Sequence, residues 1–275
     1  FADMHYDFDG AQDRIGVLFF ILFYLALLGM SSLPVWRDEY LLFAHERASN
    51  IYGNLAYYLS IVLFDLLLIR VVPPFAFAFI SYKWMNLQEY CEQCLYEFVL
   101  ILVLANVTFA LWSMGIGALR LSTVVSNVVG ALVVMVFMLT GGFMVDRKTL
   151  QKDPFTNLVL FIDPMSYAFE SLLINQFHAA TTQDGEPLYY LINTTYCASS
   201  FPVISVSGDT ILSTFNYATS HKQGNADVMS LVRIAAVLLV FIYLVLVWTG
   251  ELSSKCRRFV ARCFTPGARS AFGSA

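Results

Sequence analysis

Charged residues are scarce in this sequence, which argues against a soluble domain. Only 13% of the 275 residues are charged and 58% are hydrophobic, whereas soluble domains are about 25% charged. The net charge of −4 is spread over loops, and no basic patch interleaved with aromatic residues indicates nucleic-acid binding. The sequence therefore predicts an integral, multi-pass membrane protein, and its 16% aromatic content is typical of interfacial belts.

Residues that carry chemistry are also few. The five cysteines are scattered and predict no disulfide framework. The four histidines lie at or outside the ends of the apolar runs. An intramembrane enzyme would need converging His, Asp, Glu or Cys residues within those runs, and only Asp65 and Arg70 qualify. We therefore predict no catalytic residue and no metal site, and an enzyme or a receptor is the weakest alternative.

Five apolar runs are long enough to cross a bilayer, which takes about 20 helical residues. Two shorter apolar pieces, residues 155–162 and 167–177, predict re-entrant or interfacial helices. Pro73 and Pro74 should kink the second run or end its regular part. We expect an all-α membrane protein with spans over residues 14–36, 55–80, 94–119, 122–145 and 228–248.

Basic residues orient these spans. Residues 254–275 form a basic tail, which the positive-inside rule assigns to the cytoplasm. Residues 1–13 and the long loop 146–227 are then external, although three basic residues early in that loop oppose this orientation. A glycosylation sequon at Asn193 lies in the same loop and favours the external assignment.

A polar interruption joins the first two spans. In LLFAHERASNIYGNLAYYLS, residues 41–60, polar residues cluster around Glu46 while apolar residues recur at helical spacing. Residues 41–53 therefore predict an amphipathic connecting helix at the membrane surface. A solvated loop is the alternative.

Several motifs in a fixed order resemble one family. They are F-x-x-E-R followed by Y-G-x-x-A-Y-Y in the connector, RIGVLFF at 14–20, FDLLLIRVVPP at 64–74, TGGFMV at 140–145, SYAFESLLINQF at 166–177 and SGDTILSTF at 207–215. Together they resemble the ABC-2 type membrane domain of the G subfamily of ABC transporters, the group of White and the breast-cancer-resistance protein. The resemblance implies that the five spans correspond to family spans two to six, with the ABC-2 type transmembrane domain over residues 14–253.

The resemblance also implies a function that this chain does not perform alone. The sequence has no G-x-x-x-x-G-K-[ST] phosphate loop and no LSGGQ-like signature, so we expect no cofactor in this chain and ATP with Mg²⁺ in an ATPase domain that precedes it in a longer protein. Family members are homo- or heterodimers of half-transporters in the plasma membrane or an internal vesicle membrane. They move hydrophobic or amphipathic compounds (lipids, sterols, pigment precursors or drugs) by alternating access, which implies export here. The alternative is a permease subunit that recruits a separate ATPase chain.

The same resemblance assigns roles to connector residues. In the family, the connecting helix abuts the ATPase domain. Glu46 would pair there with a cation and couple nucleotide-driven movement to the spans, with Phe43 and Arg47 beside it in the motif. A solvated surface charge of little energetic value is the alternative for Glu46.

The resemblance further places four residues at positions that line the transport cavity: Tyr24, Leu27, Ala131 and Met135. Arg70 matches a position that influences substrate range. Ordinary packing is the alternative for the apolar four, and snorkelling of Asp65 and Arg70 to the cytoplasmic surface is the alternative for the charged pair.

Phe143 and Met144 match the apolar plug that closes the cavity from above in family members. A hydrophobic constriction can block polar flux by dewetting. Ordinary packing or contact with lipid is the alternative.

Cys197 is the one cysteine in the long external loop. It predicts an interchain disulfide near a dimer axis or a free thiol. Pairing with Cys91 or Cys94 is also open.

Overall fold

Helices form nearly all of the structure. The computed structural model describes residues 8–34, 36, 43, 46, 53–85, 92–119, 121–145, 147–178, 189–190, 205–214, 217 and 219–264. Its helices are α1 (Phe8–Gly29), α2 (Asn54–Phe64), a π-helical segment (Asp65–Val71), α3 (Val72–Trp84), α4 (Glu92–Ala118), α5 (Thr123–Thr140), α6 (Arg147–Leu150), α7 (Pro154–Ile162), α8 (Pro164–Phe177), α9 (Gly208–Thr214) and α10 (His221–Phe264).

Five stretches of the described helices are long and apolar enough to cross a membrane. The prediction of an all-α membrane protein with five spans is confirmed. The second span joins α2, the π-helical segment and α3 into one length of 29 residues. The spans are Gly10–Pro34, Asn54–Tyr82, Gln93–Ala118, Thr123–Thr140 and His221–Trp248.

Several helices end at residues other than those the apolar runs suggest. Helix α1 begins at Phe8, and α10 extends from His221 to Phe264, beyond the run 228–248 at both ends. Hydropathy marks the part of a helix that suits a membrane, whereas a helix continues into polar sequence as long as its backbone hydrogen bonds continue. Helix α5 instead stops at Thr140 because two glycines follow, and Gly142 has a φ of 95°, a conformation that glycine adopts without steric cost.

The two short apolar pieces of the long loop form a bent helix pair. Helices α7 and α8 meet at an angle of 73°. Each begins with a proline, which suits the first helical turn because its N–H would have no partner there. The pair α7–α8, bent by 73°, therefore fits the expected re-entrant geometry.

Further along the chain, Tyr189–Tyr190 pair antiparallel with Ser205–Val206 as two-residue strands, β1 and β2.

Asp163 lies at the bend of this pair and is fully buried. One carboxylate oxygen accepts the backbone N–H of Met165 at 2.8 Å and caps α8. The other oxygen accepts a hydrogen bond from the Thr140 hydroxyl at 2.9 Å. The bend is thereby tied to the last residue of α5.

The main core lies between α1, α4 and α8. Helix α8 is buried along almost its whole length, and α10 packs against both α8 and α4. Helix α1 lies close to α4 at Gly29, where an added Cβ atom would lie 2.9 Å from Phe109 Cβ and 3.0 Å from the Phe109 carbonyl carbon. Small residues permit such approaches between membrane helices.

The close approach predicts a matched pair of glycine substitutions in α1. Gly29→Ala should lower the thermal unfolding midpoint of the purified protein in detergent, because overpacking costs about 1–3 kcal/mol. Gly16→Ala is the control, since among the described residues no atom beyond its own helical turn lies within 4 Å of its added Cβ, and it should leave the midpoint unchanged or raise it. Equal midpoints for the two variants would contradict the tight α1–α4 contact.

Candidate functional site

A polar cluster lies inside the second span and reaches the first. The Arg70 guanidinium donates to the Leu28 carbonyl at 3.0 Å and to Ser31 Oγ at 3.1 Å. Its Nε lies 3.8 Å from Asp65 Oδ2, which makes an ion pair without a hydrogen bond. Arg70 is 5% exposed and Asp65 is 9% exposed. In the snorkelling alternative the guanidinium would extend to the cytoplasmic surface, whereas here it hydrogen-bonds to Leu28 of α1 and to Ser31, just after that helix.

The proline pair, Pro73 and Pro74, interrupts the regular helical hydrogen bonding of the backbone around this cluster. Pro74 has no N–H to donate to the Arg70 carbonyl, four residues earlier. Asn106 of α4 donates its side-chain amide to that carbonyl instead, at 2.8 Å. The predicted interruption takes the form of the π-helical segment, after which Pro73 and Pro74 occupy the first turn of α3. The span therefore continues past the prolines.

The polar cluster thus comprises Ser31, Asp65, Arg70 and Asn106, together with the Leu28 carbonyl. Its hydrogen bonds join α1, the π-helical segment and α4, and its one ion pair lies within the π-helical segment. Charged side chains within a span are costly and mark functional sites by default. The hydrogen bonds to Leu28 and Ser31 hold the Arg70 side chain against the end of α1. That Arg70 influences the substrate range stays a prediction.

The described part of the connector packs against the spans. Phe43 is helical and 1% exposed, and its ring stacks on Tyr57 of α2 with centroids 4.0 Å apart. The neighbouring Tyr58 donates its hydroxyl to the Leu239 carbonyl of α10 at 2.8 Å. Glu46 is helical and half-buried, and Arg47 lies outside the described residues. The connector is therefore in contact with the start of the second span, which in turn contacts the last one.

The four predicted cavity residues all face outward. Tyr24 is 50% exposed, Leu27 46% and Met135 62%, and Ala131 is exposed as well. Each belongs to an apolar stripe at helical spacing. The α1 stripe consists of Phe20, Tyr24, Leu27 and Leu28, and the α5 stripe consists of Val124, Val128, Ala131, Leu132, Met135 and Leu139.

The predicted gate residues lie in the turn that follows α5. The Phe143 ring stacks on Phe19 of α1 with centroids 4.5 Å apart and meets Phe169 of α8 edge-on at 6.2 Å. Met144 is exposed. The Tyr217 hydroxyl donates to the Gly142 carbonyl at 2.6 Å and fixes the turn. The turn is thus held by residues from three other parts of the chain.

Sequence reasoning missed Asn106, Asp163 and Tyr217 as positioning residues. Asp163 could have been found, because Asp before Pro at the start of an apolar helix is an N-cap signal. Asn106 lies within an apolar run, and nothing in its local sequence indicates the Arg70 carbonyl as its partner. Tyr217 acts on a glycine turn distant in sequence, so no local spacing reveals it.

Two predicted external sites, Asn193 and Cys197, lie outside the described residues. Cys94, at the start of α4, is disulfide-bonded. Because Cys197 is not among the described residues, its interchain disulfide stays a prediction.

Among the described residues, no group of three His, Cys, Asp or Glu side chains could hold a metal ion.

Five spans, with a bent helix pair before the last of them, define a polytopic membrane domain. Residues 1–177 match the family described as ABC-2 type transporter. The chain belongs to this family of transporter membrane domains. The resemblance predicted from the motifs is confirmed.

Relatives agree on the subfamily. The chain is 30% identical, over 88% of its own length, to a probable ATP-dependent permease of Saccharomyces cerevisiae, of which it covers 21%. It is 25% identical to the broad substrate specificity ATP-binding cassette transporter ABCG2 of Mus musculus, over 74% of this chain and 30% of that protein. It is 29% identical to ABC transporter G family member 24 of Dictyostelium discoideum, over 65% of this chain and 15% of that protein. The chain thus spans less than a third of the length of these relatives.

The polar cluster predicts a non-additive pair of substitutions. Arg70→Gln should lower the thermal unfolding midpoint strongly, because it leaves the buried Asp65 carboxylate without its cation, a loss of about 3–5 kcal/mol. Asp65→Asn combined with Arg70→Gln should be less destabilising than Arg70→Gln alone, since no buried charge is left. Midpoints are measured on purified protein in detergent, with Lys152→Gln as an exposed-cation control. A double variant whose loss equals the sum of the two single losses would show that the charges do not interact.

Proposed function

We propose that this chain is the membrane-spanning part of an ATP-driven transporter that exports hydrophobic or amphipathic compounds by alternating access. The observation that supports this proposal is the pair of exposed apolar stripes on α1 and α5, which contain all four predicted cavity residues. The two helices are neighbours, because α5's Gly130 lies against Met30 and Leu33 at the end of the first span. Their stripes offer an apolar surface with few fixed charges, which suits an apolar cargo.

A second half-transporter, identical or different, would complete the cavity. The stripes of one domain would face those of its partner across a two-fold or pseudo-two-fold axis. Cargo such as a lipid, sterol, pigment precursor or drug would bind between Tyr24, Leu27, Ala131 and Met135 of both. Arg70 would tune the cavity from behind α1, by fixing where the end of that helix lies.

Movement would enter through the connecting helix. Phe43 stacks on Tyr57, so a displacement of the connector by an ATPase domain acts on the second span directly. Glu46 and Arg47 would supply the polar contact to that domain, which would bind ATP and Mg²⁺. Rigid-body movement of the paired domains would then open the cavity to one side or the other.

The gate would close the cavity at its outer end. Phe143 and Met144 follow the α5 stripe directly in sequence, and Phe143 is stacked on α1. Separation of α1 from α5 would break this stacking and let cargo leave. Residues 146–227 would lie outside, with Asn193 glycosylated and Cys197 joined to the partner, in the plasma membrane or an internal vesicle membrane.

A permease that recruits a separate ATPase chain is the second candidate. The same connector surface would then bind an ATPase from another polypeptide. The relatives that this chain matches are much longer than the chain itself, which favours a fused ATPase domain.

The coupling role of Glu46 can be tested by ATP hydrolysis of the full-length protein in lipid vesicles, across a panel of sterols and amphipathic drugs. Glu46→Ala should lower cargo-stimulated hydrolysis by about fivefold or more, the lower end of typical coupling effects. Basal hydrolysis should change little. Glu97→Ala is the control, because Glu97 lies at the start of α4 and pairs with His221 at 3.2 Å. Equal stimulation in both variants would remove Glu46 from the coupling path, and no hydrolysis under any condition would favour the separate ATPase chain.

The arrangement of the two copies can be tested by oxidative cross-linking in membranes. In a Cys197→Ser background, Met135→Cys should form a disulfide-linked dimer, because the α5 stripes would face each other. Leu244→Cys is the matched control: the two side chains are 62% and 57% exposed, but Leu244 lies on α10. A dimer band for Leu244→Cys and none for Met135→Cys would place the interface elsewhere.

A further inference from the structure

An apolar groove lies on another side of the domain, between α10, α4 and the bent pair α7–α8. Its volume is about 590 Å³, within the range of about 300–1,000 Å³ typical of small-molecule sites. Aromatic side chains form much of its wall: Trp112, Phe161, Tyr167 and Phe241. None of the predicted cavity or gate residues lines it.

Among the described residues of its lining, Ser230 contributes a hydroxyl and Arg233 a cation, and both lie on α10. The Arg233 guanidinium donates to Ser230 Oγ at 2.6 Å. Within the part of the chain that the structure describes, Arg233 has no carboxylate within ion-pair distance. The groove therefore combines apolar walls with one cation that lacks a protein anion there.

The direction of Arg233 suits a lipid headgroup. The apolar part of α10 begins at about Val228, so Arg233 lies five residues, or about 7 Å, inside it. Its hydrogen bond to Ser230, three residues earlier, directs the guanidinium toward the N-terminal end of the helix. Long basic side chains near span ends reach the headgroup layer in this way.

We infer that the groove binds a glycerophospholipid, with the phosphate on Arg233 and Ser230 and the acyl chains along the aromatic walls. A guanidinium matches phosphate through two parallel N–H donors. Basic pockets between membrane helices bind lipid headgroups by this chemistry. The groove shares no lining residue with the predicted transport cavity, because its lining comes from α4, α7, α8 and α10.

The test uses the full-length protein, stripped of lipid in detergent and titrated with two probes of identical acyl chains. Phosphatidylglycerol carries the phosphate and diacylglycerol lacks it, and native mass spectrometry counts the bound molecules. The wild type should bind phosphatidylglycerol more tightly than diacylglycerol. Arg233→Gln should weaken phosphatidylglycerol binding about fivefold, as expected for the loss of one basic residue near phosphate, and leave diacylglycerol binding unchanged. Arg233→Lys keeps the charge but not the two parallel donors, so it should weaken phosphatidylglycerol binding less than Arg233→Gln does.

Three further variants separate the groove from the general membrane surface. Ala236→Trp fills the groove and should reduce binding of both probes, whereas Val240→Trp, exposed on α10 outside the groove lining, should not. Lys222→Gln removes an exposed cation from the same helix and should not weaken phosphatidylglycerol binding. Equal effects of Arg233→Gln and Lys222→Gln, or equal binding of both probes by the wild type, would overturn the inference.

Discussion

Arg70 connects three helical elements by hydrogen bonds: its own π-helical segment, α1 and α4. A bilayer interior offers no water to polar groups, so each must find a protein partner. The Arg70 side chain satisfies the Leu28 carbonyl of α1, and its own carbonyl is satisfied by Asn106 of α4. Because one residue uses both its side chain and its backbone, the π-helical segment, the end of α1 and the middle of α4 are fixed together.

This tie also decides which face of α1 is left open. The Leu28 carbonyl accepts a hydrogen bond from the Arg70 guanidinium, and the next residue, Gly29, lies against Phe109 of α4. Those two contacts occupy neighbouring sides of the helix, while Tyr24 and Leu27 remain exposed. The outward stripe on α1 is therefore a consequence of where the polar cluster and the glycine contact hold the helix. Arg70 thus helps to determine which apolar side chains of α1 are exposed, although Arg70 itself is buried and not part of that surface.

The elements of this fold could be predicted from the sequence, but their pairings could not. Long apolar runs reveal the spans, and Asp-Pro before an apolar helix indicates the start of α8. Asp65, Arg70 and the prolines were recognised as unusual because they break the apolar pattern locally. Their partners were not, because Ser31 and Asn106 are 39 and 36 residues from Arg70 and no spacing relates them. The Gly29–Phe109 contact is long-range in the same sense.

The start of the second span, which contacts the connector at Phe43, and the polar cluster lie on one continuous length of helix, Asn54–Tyr82. Phe43 stacks on Tyr57, Tyr58 is bonded to Leu239 of α10, and the span then passes through the π-helical segment to Arg70. Single turns of π-helix inside α-helices often occur at functional sites. A displacement of the connector would therefore act on α10 through Tyr58, and on α1 through Arg70. Since α1 bears one of the two open stripes and its Phe19 stacks on Phe143, the proposed gate residue, we expect a displacement of the connector to change the surface that we propose faces the cargo.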